Sequence, residues 1–386
     1  MIERERRAWR RVRLAWFYDL DACYEPTGVT RHALGMLEAL ACREEVALEL
    51  VCGRFRRVEG RREWLRWSSR IPCHLLPLRT REQLRFWRAM AWPKLEFWTG
   101  AVDWVYAPYE VYVPTRDAQL AVTSHDILQD LGLGERRVAF LQRVFDRADR
   151  VLSVSPFNTA QLLNHFPRCA GRVFEVPNAP DGLFFEAATP AEIRAVRDAI
   201  GLPDGVPYLL SVASFQARKN IPRLVRAMGL LDEVGRGELA LVLVGGGGAG
   251  ERAEVEDAVR GLAARARVIQ PGYKAGVALR ALYAGARALV FASMCESFGI
   301  PAVEAMAQGC PVAAADNTAL PDIVGAAGWL FDPRDESAIA SAVRKLLDDA
   351  EERNRRVRLG REIASGYCWP RSAERLLQAL GGALAR

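Results

Sequence analysis

Residues 295–312 read CESFGIPAVEAMAQGCPV, and the way this stretch folds decides the architecture of the chain. It follows ALVFAS (288–293) and runs into CPVAAAD (310–316), two short apolar runs that fit buried strands. Between them, Pro301 suits the start of a helix spanning PAVEAMAQG. A buried strand, a loop, a helix and a second buried strand make up the unit of a parallel sheet covered on both faces. Glu296 then falls in the strand–helix loop and Glu304 about one turn into the helix. A helix start presents free N–H groups and the positive end of its dipole, which is a seat for phosphate. With a hydroxyl-accepting carboxylate on either side, the element fits a ligand carrying sugar, diphosphate and ribose in sequence. On spacing alone, a glutamate pair favoured by the helix dipole is the plainer reading.

The same plan recurs along the chain. VRLAWFYD (12–19), LDACYEPTG (20–28), VTRHALGMLEALA (29–41) and VALELVC (46–52) form one strand–loop–helix–strand unit. PYLLSVAS (207–214), FQARKN (215–220), IPRLVRAMGLL (221–231) and LALVLVG (239–245) form another. VDWVYAP, QLAVTSHD, DRVLSVS and RVFEVPN supply further strands in the first half, and ARVIQPG continues the second. Between the halves, Thr189, Pro190 and Glu192 make a capping-box helix start, with Ile193, Val196 and Ile200 as its apolar stripe. Flanking loops rich in Pro, Gly and Asp mark a linker. This predicts an α/β protein of two doubly wound parallel-sheet domains, 1–185 and 186–366. Ligands of such sheets bind outside the carboxyl ends of the strands, here in a cleft between the domains.

Composition bounds the class. A chain of 386 residues is long for one core, and 50% apolar with 26% charged residues describes a soluble globular protein. The N-terminus, MIERERRAWRRVRLAWFYD, is too charged for a cleaved signal peptide, and no apolar run reaches the ~18 residues of a membrane span. The eight cysteines form no CxxC pair and read as reduced thiols of a cytoplasmic protein. Charge is concentrated at 54–98, where twelve Arg or Lys stand against four Glu and five of the ten tryptophans (64, 67, 87, 92, 98) are interleaved. That mixture suits an anionic membrane surface. It equally suits two amphipathic helices with solvated arginines and inward tryptophans. Single-stranded nucleic acid is the weaker fit.

Several ordered motifs, SVASFQARKN, LVLVGGGG, VIQPGY, the long block from LYAGARALVFAS to GWLFDP, and YCWPRSAERLL, resemble the retaining glycosyltransferases of family 4. The resemblance spans nearly all of 208–380 and continues more loosely through TGVTRHALGMLEAL, AVTSHDI, VLSVSPFNTAQLL and VPNAPDGLF. It implies the GT-B fold, two facing Rossmann-like domains with the C-terminal segment 367–386 crossing back onto the first. It implies an acceptor-binding first domain and a second domain that holds the nucleotide sugar. By motif position, Glu304 would accept hydrogen bonds from the ribose and Glu296 would contact the transferred sugar. Phe298, Gly299 and Ile300 would offer backbone N–H groups to sugar hydroxyls and phosphate, and Arg218 and Lys219 would bind the diphosphate. In the first domain, Gly28 would let a loop approach the diphosphate, and His125, with Asp126 beside it, would meet the donor sugar and assist reaction. The reaction implied is hexose transfer with retention, from a nucleotide-diphosphate sugar used as co-substrate, with no cofactor and no metal. GDP-mannose is the first expectation for the donor. A saccharide or lipid-linked saccharide of surface polysaccharide synthesis is the expected acceptor, met at the cytoplasmic membrane face.

Departures and decoys remain. Ala213, Gln216 and the pair Asn178–Ala179 stand where the family usually has Gly, Glu and Asn-Gly. GGGGAG (245–250) has the spacing of a dinucleotide loop, but residues 258–280 lack the acidic residue that would hold a ribose, which argues against NAD. Asp19 and Asp21 resemble a metal-binding Asp-x-Asp only by chance spacing. A nucleotide-sugar epimerase and a non-catalytic nucleotide-sugar-binding scaffold are the rival classes.

Overall fold

The computed structural model describes residues 11–24, 27–127, 132, 134–235 and 238–381. The expectations for the charged N-terminal ten residues and for the last five of the C-terminal segment lie outside the described residues. The chain divides into two compact units. One runs through Ala179 and resumes at Trp369, and the other is Pro180–Cys368.

The first unit is built on a seven-stranded sheet: β1 Val12–Phe17, β2 Val46–Cys52, β3 Cys73–Leu75, β4 Trp104–Ala107, β5 Gln119–Ser124, β6 Arg150–Ser153 and β7 Val173–Glu175, in the spatial order β3-β2-β1-β4-β5-β6-β7. All pairs are parallel, with Val12 opposite Val46 and Leu14 opposite Trp104. Strand alternation sorts β1 onto two cores. Leu14 and Trp16 join one apolar cluster, and Ala15 and Phe17 join the other. Helix α1, Gly28–Ala41, covers the first cluster with Ala33, Met36, Leu37 and Leu40. Thr27 caps it, accepting the Thr30 N–H at 3.2 Å.

The C-terminal helix Trp369–Ala379 packs on α1 and completes that cluster with Ala373, Leu376 and Leu377. Gly35 makes the packing possible. A Cβ there would lie 2.2 Å from the Trp369 ring, so the tryptophan of the YCWP motif needs a glycine opposite.

The second unit is a six-stranded parallel sheet: β8 Tyr208–Val212, β9 Ala240–Val244, β10 Val268–Gly272, β11 Ala288–Phe291, β12 Val312–Ala315 and β13 Gly328–Phe331, ordered β10-β9-β8-β11-β12-β13. The helix Pro190–Ala199 begins with the expected capping box. Thr189 Oγ1 accepts the Glu192 N–H at 3.2 Å, and the Glu192 carboxylate accepts the Thr189 N–H at 2.7 Å.

Two strands escape the sequence reading, β3 and β13. Each is only three or four residues and sits on a sheet edge, where short runs carry little apolar periodicity. The 54–98 segment contains the two amphipathic helices, α2 Val58–Ser68 and α3 Thr80–Met90, with β3 between them. Trp67 and Trp87 are wholly buried, and of the five tryptophans only Trp92 is exposed. No helix of the described residues is long and apolar enough to cross a membrane. The eight cysteines are all free thiols.

Candidate functional site

In the second unit the strand order turns outward from β8 and β11, so the loops after these two strands lie side by side at the switch point of the sheet. The loop after β8 ends in a short turn, Ala217–Lys219, and the loop after β11 leads into the helix Ile300–Ala307. They are laced together. The Arg218 carbonyl accepts the Met294 N–H at 2.7 Å and the Ser293 hydroxyl at 3.2 Å. Asn220, left-handed at φ 60°, donates to the carbonyls of Ala292 (3.0 Å) and Pro333 (2.8 Å). Asn is among the few side chains that tolerate this conformation, so the turn carrying Arg218 and Lys219 is held firmly.

That lacing places Lys219 Nζ on the Glu296 carboxylate, with Arg218 Nη1 at 4.0 Å from its other oxygen. The Glu296 side chain is 10% exposed and that of Lys219 13%. Lys219 also lies over the Phe291 ring, 5.8 Å from its centroid. Arg218 donates to the Cys295 carbonyl at 3.2 Å, which aims its guanidinium across the loop. The Glu296 N–H donates to Thr318 Oγ1 at 3.1 Å, and Thr318 holds φ 50°. A left-handed threonine is strained by about 1–3 kcal/mol, and such strain collects at functional loops.

Gly299 precedes the helix at φ 95°, and a Cβ there would lie 2.6 Å from Leu320 Cδ2. Only glycine fits. Ile300 is the first helical residue and Pro301 the second, so the helix begins one position earlier than the sequence suggests. The side chains of Phe298 and Ile300 are buried, Phe298 edge-on to Tyr367. Among the described residues, the N–H groups of Phe298, Gly299 and Ile300 reach no backbone or side-chain acceptor. One turn in, Glu304 is 1% exposed, and its carboxylate accepts the Tyr283 hydroxyl at 2.9 Å. The site therefore combines three donating N–H groups, two cations and two carboxylates, an arrangement able to hold a phosphate between hydroxyl-bearing groups.

In the first unit the sheet reverses between β1 and β4. His125 directly follows β5 and donates from Nε2 to the Pro108 carbonyl at 2.8 Å, leaving Nδ1 unprotonated. Burial lowers its pKa to about 4, the Pro108 bond opposing this, so the ring is neutral near pH 7. His32 packs edge-on against it at 4.8 Å between centroids. Fully buried, His32 bonds to Asn178 Oδ1 (2.8 Å) and the Tyr106 hydroxyl (2.9 Å), and Tyr106 contacts Thr123. Burial, then the neighbouring His125, pushes the His32 pKa well below its usual value. Gly28 opens α1 with open space where a Cβ would be.

His32, Tyr106, Thr123, Tyr283 and Thr318 were not singled out in the sequence. Their importance lies in contacts between residues far apart in the chain, for which no local motif exists. The decoys find structural roles. Gly245, at φ 137°, passes so close to the Ala213 carbonyl that a Cβ would overlap it. Asp21 binds the backbone N–H groups of Arg56 and Arg57. Asn178 is the partner of His32.

A family model described as "Glycosyl transferases group 1" matches residues 192–363. The chain is 28% identical to an O-antigen chain mannosyltransferase B of Escherichia coli over 92% of its length and 96% of the relative's. It is 30% identical to a D-inositol 3-phosphate glycosyltransferase of Thermobifida fusca (strain YX), over 74% of this chain and 67% of that one. The crystal structure of a glycosyltransferase from Rickettsia africae ESF-5 superposes with a TM-score of 0.77 at 14% identity, covering 97% of this chain and 99% of the other. The two Rossmann-like parallel-sheet domains are those of the GT-B fold. The chain belongs to the group 1 glycosyltransferases.

Proposed function

We propose that the protein is a retaining, metal-independent glycosyltransferase of family 4. It moves a hexose from a nucleotide-diphosphate sugar, GDP-mannose first among the candidates, to a saccharide or lipid-linked saccharide acceptor in surface polysaccharide synthesis. The supporting observation is the helix start at Gly299–Ile300, whose N–H groups meet no acceptor among the described residues and lie beside Arg218 and Lys219 and between Glu296 and Glu304. The full-length similarity to a mannosyltransferase supports the choice of sugar.

In this reading the donor diphosphate sits at the helix start, Glu304 accepts the ribose hydroxyls and Glu296 meets the transferred sugar. Arg218 and Lys219 stabilise the charge that develops on the departing diphosphate. Losing one such preorganised donor costs about 3–4 kcal/mol of barrier. Departure and attack occur on one face of an oxocarbenium-like carbon, and the leaving diphosphate takes the acceptor proton. His125 and Gly28, on the first domain, meet the donor, and that domain binds the acceptor at the cytoplasmic face of the membrane.

The test is nucleotide-diphosphate release from GDP-, UDP-, ADP- and dTDP-sugars, with and without a crude lipid-saccharide extract, for wild type and Glu304→Ala. Extract-stimulated release from one donor, lost in the variant, supports transfer and names the donor. Nucleotide binding without release, accompanied by isomerised sugar, replaces transfer with epimerisation.

A further inference from the structure

The arginines of the 54–98 segment are gathered into a hollow. Residues 54–57 follow β2 and residues 79–85 begin α3, and two close approaches bring these pieces together. Gly53 runs against the start of α3 so tightly that its Cβ would meet the Thr80 nitrogen and would lie 2.7 Å from the Arg79 carbonyl carbon. Asp21 fixes the other side, its carboxylate accepting the N–H of Arg56 at 2.9 Å and of Arg57 at 3.1 Å. Gly60 keeps room for that carboxylate, since its Cβ would come within 2.6 Å of Asp21 Oδ1. The result is a cavity of about 590 Å³ lined by Arg54, Arg56, Arg57, Arg79, Arg81 and Arg85.

Three carboxylates share the lining, half the number of cations. Asp21 is occupied by backbone N–H groups, Glu82 faces Arg79 at 3.6 Å, and burial raises the pKa of Asp19. Arg54, Arg56 and Arg85 make no side-chain ion pair or hydrogen bond among the described residues. Guanidinium groups collected in twofold excess over carboxylates repel one another, and a multivalent oxyanion relieves that repulsion with bidentate hydrogen bonds.

Arg54 also borders a second cavity, of about 640 Å³, whose wall is apolar: Leu75, Leu78, Phe86, Trp92 and Phe97. Trp92 is 63% and Phe97 75% exposed, an apolar patch of the kind that marks a binding surface. A nucleic acid would need the basic track to continue, whereas here it gives way to hydrocarbon surface. From this juxtaposition we propose that the two cavities hold one amphiphile, a phosphate or diphosphate head among the arginines with its hydrocarbon chain along the apolar cleft. The assignment rests on the lipid-linked acceptor of the proposed function and gives that acceptor its seat.

Calorimetric titration of the full chain with farnesyl diphosphate, inorganic diphosphate and farnesol tests it. Farnesyl diphosphate binds wild type at least about tenfold more tightly than inorganic diphosphate, a difference of ~1.4 kcal/mol. Arg54→Gln with Arg56→Gln weakens both anions. Trp92→Ser with Phe97→Ser reduces farnesyl diphosphate to the level of inorganic diphosphate and leaves the latter unchanged. All four side chains are exposed, and circular dichroism verifies folding. Equal affinity for the two anions, indifference to the arginine substitutions, or displacement of farnesyl diphosphate by a single-stranded oligonucleotide overturns the assignment. Donor turnover is followed on the same proteins. Probe binding without transfer from any donor refutes the catalytic reading alone, and transfer without probe binding refutes the amphiphile site alone.

Discussion

Replacing Lys219 by Met strands a carboxylate. Among the described residues Glu296 then keeps only Arg218, at 4.0 Å, as a cationic neighbour, in a place where its own side chain is 10% exposed. Two unit charges at that separation interact by about 4 kcal/mol at an effective dielectric near 20, and removing one partner of a fully buried pair costs about 3–5 kcal/mol. Partial exposure and the surviving Arg218 bring the expectation for Lys219→Met to about 2–3 kcal/mol. Glu296→Gln strands the Lys219 ammonium against the Phe291 ring and has a cost of the same order. In the double variant neither charge is stranded, and the loss falls to about 1 kcal/mol, giving a coupling of ~3 kcal/mol or more. Urea unfolding of the four proteins, followed by circular dichroism, measures the cycle. Single losses that add to the double loss within about 0.5 kcal/mol would refute the reasoning, because uncoupled residues behave that way. Nucleotide-diphosphate affinity gives a second readout. Lys219→Met weakens it, whereas Glu296→Gln, which frees the ammonium for phosphate, does not.

The same geometry yields further expectations. Gly299→Ala combines a left-handed backbone with a 2.6 Å approach to Leu320 Cδ2, and lowers stability by about 2–3 kcal/mol. An unchanged melting temperature would show that the loop relaxes freely. Tyr283→Phe removes the hydroxyl donated to Glu304 and costs about 1–3 kcal/mol, read by chemical denaturation, together with weaker nucleotide binding. His125 has a depressed pKa, so the unfolded chain binds its proton first as pH falls. The His125 contribution to stability therefore drops between the ordinary value of 6.5 and about 4, by up to ~3 kcal/mol, and levels off below. His125→Gln makes that slope shallower, His32 and the carboxylates held below their usual range, such as Glu38 and Glu96, accounting for what remains. A slope identical to wild type counts against a neutral buried His125.

The layers, the two parallel sheets and the position of the Glu296–Glu304 element are legible in the chain read residue by residue. Each rests on information carried by neighbours in the chain: continuous apolar strands, helical spacing, Pro and capping residues at helix starts. Thr189 with Glu192, and Gly299 before Ile300, act through bonds and dihedrals only a few residues long. The edge strands Cys73–Leu75 and Gly328–Phe331 were less legible because three or four residues at a sheet margin leave too short a pattern. Which distant groups meet depends on the assembled sheets. Lys219 finds Glu296 across 77 positions and His32 finds Asn178 across 146, because adjacent parallel strands return loops from remote segments to one edge of a sheet. The assembled fold also decides that the basic tryptophan-rich segment hides Trp67 and Trp87 in the core while folding its arginines into a cavity. Periodicity distinguishes buried from exposed faces, but the concavity of an exposed face depends on close backbone approaches such as Gly53 against Thr80. Those approaches exist only once the sheet has brought its connecting segments together.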